Sequence, residues 1–265
     1  MSTVVTFGEI MLRLSPPGFE RFLQSPVLGA TFGGGEANVA VCVAQFGLES
    51  RYVTRLPNHA IGDGAIRALR AEGVRVEQIQ RGGDRVGIYF AETGASQRGG
   101  VVIYDRAHSA IADVDPHSLR WPVVFAGAHW FHTTGITPAL GANGIACTKE
   151  ALEAARKAGA RTSVDLNFRK KLWSEKQAQA AMRPLMPLVD VVIANEEDIQ
   201  SVLGMHVEGT DVTSGQLNLA AYEAVALAPR AGVMPVVWNH VAPANTLLQS
   251  TVPGAISLIA DRARS

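Results

Sequence analysis

The sequence predicts an α/β fold in which a parallel-rich central sheet is flanked by helices, with a small β-hairpin laid over one edge as a lid. Three observations carry this. From 123 onward, β-branched apolar runs alternate with segments of helical period, and repeated strand, helix, strand units imply a parallel sheet covered on both faces. Gly33-Gly34-Gly35 runs straight into the apolar helical pattern that begins at Glu36-Ala37-Asn38. Finally, 86–106 holds two strand-like runs joined by a Gly, Ser and Arg-rich link, an antiparallel interruption of the alternating order.

In chain order, the β-branched run 3–7 before Gly8-Glu9 reads as a buried first strand, and Pro16-Pro17-Gly18 breaks the chain. The triple glycine can reach positive φ and approach another surface closely, and the N–H groups of the following helix point at whatever lies there. A floor for a polar ligand and a plain tight turn both satisfy that pattern. Val39, Ala40, Val43 and Ala44 share one helical face, with Gly47 as the stop. A strand is expected over 51–56, then a helix opened by Ile61-Gly62-Asp63-Gly64 and closed by Gly73, with Asp63 read as a cap. Later elements are a strand over 123–131, a helix over 143–158 closed by Gly159, a strand over 162–166, a helix over 174–182, a strand over 189–194 and a helix over 196–203.

The 265 residues, 47% hydrophobic, suffice for one sizeable core and a small appendage. Lys+Arg and Asp+Glu each number 24, so no global field recruits nucleic acid or an anionic membrane, and an anionic ligand must meet individually placed cations. The first fourteen residues lack a basic leader and no apolar run approaches a membrane span, which sets the expectation of a cytoplasmic protein. Cys42 and Cys147 read as separate thiols rather than a disulfide framework.

In parallel sheets ligands sit beyond the carboxyl ends of the strands, and those ends here hold polar residues. Asn167 and Arg169 lie two apart after the run 162–166, so an extended backbone would aim both the same way. Asn195-Glu196-Glu197-Asp198 ends another strand; Glu196 and Glu197 suit a helix N-terminus, while Asn195 is left open. His129 and His132 have no metal-ligand partners at useful spacing and read as packing or capping residues.

Taken together, Gly33 to Asn38, Gly62-Asp63 with Leu69-Arg70-Ala71-Glu72-Gly73-Val74, the hairpin tyrosines Tyr89 and Tyr104, and Asp165-Leu166-Asn167-Phe168-Arg169 with Leu172-Trp173 resemble the ribokinase-like (PfkB) carbohydrate kinases. Within them the resemblance is to the 2-keto-3-deoxygluconate kinase branch, over roughly residues 3–209. It implies ATP and Mg²⁺ as cofactors, a sugar held under the hairpin lid, and phosphorylation of a terminal hydroxyl. By that resemblance Gly34 and Asn38 contact sugar hydroxyls, while Tyr89, Tyr104, Arg106, Asn167 and Arg169 surround a sugar acid. Asn195 and Asp198 match the Asn-x-x-Glu element of the nucleotide and metal site, with Asp in place of Glu. Arginine supplies a planar, charge-assisted fork for a carboxylate, which ranks a sugar acid above a neutral sugar such as fructose or ribose. A dinucleotide-binding oxidoreductase fails on spacing, because no G-x-G-x-x-G follows the first strand.

The resemblance also implies a Gly-Ala-Gly-Asp element whose amides hold the transferring phosphoryl and whose Asp is the base, yet the sequence contains none, so no catalytic residue is identified. The last 54 residues carry five charged side chains (Glu223, Arg230, Asp261, Arg262, Arg264) against 43 in the first 211, and Pro229, Pro235, Pro243 and Pro253 interrupt every candidate element beyond 228. The expected organisation is therefore an α/β domain over 1–220, with lid strands near 10–25 and 86–106, and an atypical tail over 221–265, frameshifted or truncated. Apolar surface over 191–203 is expected to lie uncovered. A non-catalytic sugar-acid binding remnant is the alternative to a kinase, and a folded chain is expected to be a homo-oligomer.

Overall fold

A computed structural model describes residues 2–205 and 234–237. Its centre is a six-stranded, wholly parallel sheet in the order β12-β11-β10-β9-β1-β4, formed by β1 (Thr3–Phe7), β4 (Glu49–Val53), β9 (Trp130–Thr134), β10 (Arg161–Asp165), β11 (Val191–Ala194) and β12 (Met234–Val237). Every residue of β1, β9 and β11 is buried, as expected of strands covered on both faces. One face carries α1 (Gly35–Gln45) and α2 (Ala60–Ala71), whose Val39, Val43, Ala65 and Leu69 enter the core. The opposite face carries α3 (Trp121–Val124), α5 (Ala142–Lys157) and α6 (Glu175–Met182), packed around Phe7, Phe125, Phe131, Leu152 and Met182. A single turn, α4 (Ile136–Ala139), precedes α5.

The helices stop where glycine permits it: Gly47, Gly73 and Gly159 take φ of +77°, +81° and +81° just after α1, α2 and α5. A Ser174 and Gln177 capping box opens α6. Beside the main sheet, β5 (Arg55–Leu56) and β6 (Gln80–Arg81) form a two-stranded parallel pair, so the run expected as one strand over 51–56 divides between two sheets at Thr54.

A second sheet of four strands lies in the order β3-β2-β7-β8: β2 (Met11–Ser15), β3 (Gly29–Gly33), β7 (Ile88–Glu92) and β8 (Val101–Asp105). The antiparallel pair β7 and β8 is the interruption read from the sequence. Residues 10–25 supply only one of its partners, because the chain breaks at Pro16 and pairs again at 29–33, where β3 runs antiparallel to β2.

Several local expectations are corrected. The apolar run over 123–131 begins as a helical turn: Trp121, Val124 and Phe125 are buried at helical spacing while Val123 is 44% exposed, and the strand starts only at Trp130. The cap of α2 is His59, whose Nδ1 accepts the Ile61 N–H at 3.2 Å; Asp63 lies one turn in and pairs with Arg81 at 2.7 Å. The segment after Asp198 winds as a π-helix over Ile199–Leu203.

Most of the tail expectation falls outside the described residues. Within them, β12 does form, with Pro235 in register with Val192, so proline does not interrupt every element there; β12 is the edge strand of the described sheet, where a residue without an N–H is tolerated. The surface expected to lie uncovered is also closed. Val191, Ile193, Val202 and Leu203 are buried, with β12 paired along β11 and α6 against the π-helical turn, where Gln179 donates to Ser201 O at 3.2 Å.

Candidate functional site

The triple glycine serves close approach rather than unusual backbone angles, since none of Gly33, Gly34 or Gly35 has positive φ. A Cβ on Gly34 would lie 2.0 Å from Glu9 O, so the turn rests on the backbone that follows β1. A Cβ on Gly33 would stand 3.0 Å from the Tyr89 hydroxyl and 4.0 Å from Asn38 Oδ1. The small sheet, the glycine turn and the first turn of α1 thus meet at one point. The turn is also fixed from below. Glu36, 1% exposed, accepts at Oε1 from Thr134 N (3.0 Å), Thr134 Oγ1 (2.9 Å) and Thr137 Oγ1 (2.8 Å), tying α1 to the end of β9. Burial raises the Glu36 pKa, and these donors oppose the rise.

Tyr89 and Tyr104 stand side by side across β7 and β8, ring centroids 6.0 Å apart, with Tyr104 43% exposed. The Arg106 guanidinium stacks at 5.5 Å from the Tyr104 ring and gives its Nε and Nη2 to Glu9 Oε2, the Nε contact at 2.8 Å. Ser109 Oγ donates to the other Glu9 oxygen at 2.7 Å. Arg106 therefore joins Tyr104 and Glu9 in one cluster, with its charge already matched by a carboxylate and its Nη1 without a partner among the described residues.

Asn167 and Arg169 do not follow the alternation read from the sequence. The strand β10 ends at Asp165, and Asn167 takes φ +38°, a left-handed turn closed by its N–H on Asp165 Oδ1 at 3.1 Å. Extended geometry therefore does not set the directions of these two side chains. Arg169 Nη1 donates to Phe168 O at 2.9 Å.

Asn195, open in the sequence, is the cap of the helical turn α7 (Glu196–Asp198): its Oδ1 accepts the Asp198 N–H at 2.8 Å. Asp198 Oδ1 accepts the Phe168 N–H at 2.9 Å, so the turn after β11 is tied to the Asn167 to Arg169 turn after β10. Burial raises the Asp198 pKa, and the Phe168 N–H and the Arg169 charge work against it. No group of three or more His, Cys, Asp or Glu among the described residues could hold a metal ion. A Mg²⁺ delivered with a nucleotide keeps several waters and phosphate oxygens and takes one or two carboxylates. The Asp198 oxygen not bonded to Phe168 suits that limited part.

His129 and His132 are held by structural contacts. His129 Nδ1 accepts the Thr3 N–H at 3.2 Å, and buried His132 sets Nδ1 2.9 Å from Ser163 Oγ. Sequence reasoning missed Glu9, Ser109 and Arg13. Arg13 shares a strand face with Met11 and Ser15, but that pattern points at a site only once β2 is known to lie beside β7.

The architecture has known counterparts. The pattern described as pfkB family carbohydrate kinase matches residues 1–252. The chain belongs to that family. The 2-dehydro-3-deoxygalactonokinase of Haloferax volcanii is 42% identical over 202 residues, covering 76% of this chain and 63% of that protein. The solved structure of 2-dehydro-3-deoxygluconokinase from Thermotoga maritima superposes with a TM-score of 0.80 at 50% identity, covering 85% of this chain and 68% of that one. A fructokinase of Klebsiella pneumoniae is 29% identical over 228 residues, 81% of this chain and 66% of that protein. This pfkB-family chain thus has the ribokinase-like fold, and it spans about two thirds of the length of these relatives.

Proposed function

We propose that this chain carries the sugar site of an ATP-dependent kinase that phosphorylates a 2-keto-3-deoxy sugar acid, 2-dehydro-3-deoxygluconate or its galacto isomer, at the terminal hydroxyl. The observation that carries the reading is the meeting of the Tyr89 hydroxyl, Asn38 and the glycine turn at Gly33, beneath a sheet that bears arginine and tyrosine. An amide, phenols and glycine N–H groups suit sugar hydroxyls, and guanidinium suits a carboxylate. Both sugar-acid kinases reported above exceed the fructokinase in identity, which favours the acid.

In this reading Gly34, Asn38, Tyr89, Tyr104, Asn167 and Arg169 contact the sugar acid. Arg106 offers Nη1 while Glu9 holds its other edge. The small sheet is the lid. ATP is the phosphate donor of a kinase family, and Asn195 and Asp198 border the nucleotide, with Asp198 the one described carboxylate offered to Mg²⁺. In this reading the enzyme is a cytoplasmic homo-oligomer, as the sequence led us to expect. Separately, no helix among the described residues is long and apolar enough to cross a membrane.

Because the 265 residues contain no Gly-Ala-Gly-Asp, a second reading is that the chain binds the sugar acid without turning it over. Calorimetry with 2-keto-3-deoxygluconate and with fructose, each titrated into the 265-residue protein, tests the shared sugar-acid assignment. Tighter binding of the acid is expected; equal affinity for the two sugars would end it.

A further inference from the structure

We infer that Arg13 is a substrate-binding residue, supplying the uncompensated positive charge by which the lid sheet prefers an anionic sugar. The inference rests on the sugar-acid reading above and adds a residue to it. Strand register places Arg13 opposite Tyr89 on β7 and opposite Thr31 on β3, and Tyr89 lies opposite Tyr104 on β8. Residues directly opposite one another in a sheet project from the same face. Thr31, Arg13, Tyr89 and Tyr104 therefore form one row, and it is this face whose Tyr89 hydroxyl stands beside Gly33. Burial raises the Tyr89 pKa, and the Arg13 charge partly opposes the rise, as nearness requires.

The charges on the small sheet and its connections are unevenly matched. Arg85 pairs with Asp105 at 2.9 Å, Arg98 with Glu92, and Arg106 with Glu9. Arg13 has no carboxylate partner among the described residues. Its Nε donates to Ser15 Oγ at 3.0 Å, two residues along the same face, which orients the half-buried guanidinium and leaves Nη1 and Nη2 to spare. A neutralised pair such as Arg106 and Glu9 offers direction but little net field, whereas an unmatched guanidinium attracts an anion and can bond it with two parallel N–H groups. The plainer alternative is a solvated surface arginine. It does not account for a position in the tyrosine row.

The test is calorimetry on the full 265-residue protein with 2-keto-3-deoxygluconate and with fructose, for the unaltered chain, Arg13→Gln and Arg13→Lys, across a salt series. Arg13→Gln is expected to weaken the sugar acid roughly tenfold or more, as loss of a charged hydrogen bond does, and to flatten its salt dependence while fructose binding holds. Arg13→Lys, which keeps the charge without the fork, should fall between. Sugar-acid binding by Arg13→Gln equal to that of the unaltered chain would overturn the inference and leave the sugar-acid reading standing. Equal losses for both sugars, or a lower urea midpoint that accounts for the loss, would assign Arg13 to structure and overturn it as well. An unaltered chain that binds no sugar acid would overturn the sugar-acid reading and this inference with it.

Discussion

Glu9 Oε2 accepts both Nε and Nη2 of Arg106, 97 residues away, and so fastens the exit of the small sheet to the turn that follows the first strand. Glu9 is 2% exposed and Arg106 10% exposed, which makes this a buried pair. Removing one partner of such a pair strands the other charge and costs about 3–5 kcal/mol. Glu9→Ala should lower stability by that order in urea unfolding. Gly87→Ala should destabilise through the same cluster, since its Cβ would lie 2.5 Å from Glu9 Oε1. A Glu9→Ala midpoint equal to that of the unaltered protein would show that the pair contributes nothing.

Arg169 is expected to act on ligand rather than on stability, since among the described residues its hydrogen bond is to the neighbouring Phe168 carbonyl. Arg169→Ala should cost at least ~1.5 kcal/mol of sugar-acid binding, the scale of a hydrogen bond to a charged group, and little of neutral-sugar binding. Arg106→Ala should do both, losing acid affinity and leaving Glu9 unpaired. Calorimetry beside urea unfolding separates the two residues; a sugar-acid affinity unchanged in Arg169→Ala would remove it from the site.

If the small sheet closes over a sugar, amide exchange across 86–106 should slow at saturating 2-keto-3-deoxygluconate, with Tyr89 and Tyr104 at its centre. Hydrogen exchange with and without the sugar reads this directly. Identical exchange in both states would make the sheet a static element.

Burial pushes the His132 pKa down to about 4 from an ordinary 6.5. A depressed folded-state value means that stability is fully present above pH 6.5 and is lost as pH falls through about 4, a difference of about 3 kcal/mol by linkage. His132→Gln should flatten this part of the stability profile relative to the unaltered chain. The two profiles running parallel between pH 6.5 and 4 would contradict a neutral buried imidazole.

The 265-residue chain should turn over Mg-ATP and 2-keto-3-deoxygluconate slowly. An absent base or anion-hole donor typically costs ~10²- to 10⁴-fold, and the sequence holds no Gly-Ala-Gly-Asp. The comparison is with a chain read in whichever other coding frame encodes such an element; if neither frame does, the frameshift reading fails. Full turnover by the unaltered chain would place the base elsewhere, with Asp198 the first residue to replace.

The parallel sheet, its flanking helices, their glycine stops and the β7 and β8 hairpin were legible in the sequence because each rests on short-range pattern: β-branched runs, helical period, and glycine where φ turns positive. The same reasoning misread 123–131, since an apolar run of that length satisfies strand and helix alike until burial shows Val123 outside and Trp121, Val124 and Phe125 inside. It also misjudged Pro235, because whether a strand tolerates proline depends on whether it lies at a sheet edge.

The residue types of the site came from the sequence, and their partners came from the tertiary structure. Sequence alone determined that tyrosine, asparagine and arginine accompany a glycine turn, and that the family motifs occur in order. It could not show that Glu9 takes up Arg106, that Asp198 ties Asn195 to the Phe168 turn, or that Arg13 stands unmatched in the row of Tyr89 and Tyr104. Each of these is a contact between strands or turns distant in the chain. Register and burial, which only the folded sheet creates, decide which charges meet and which remain for a ligand.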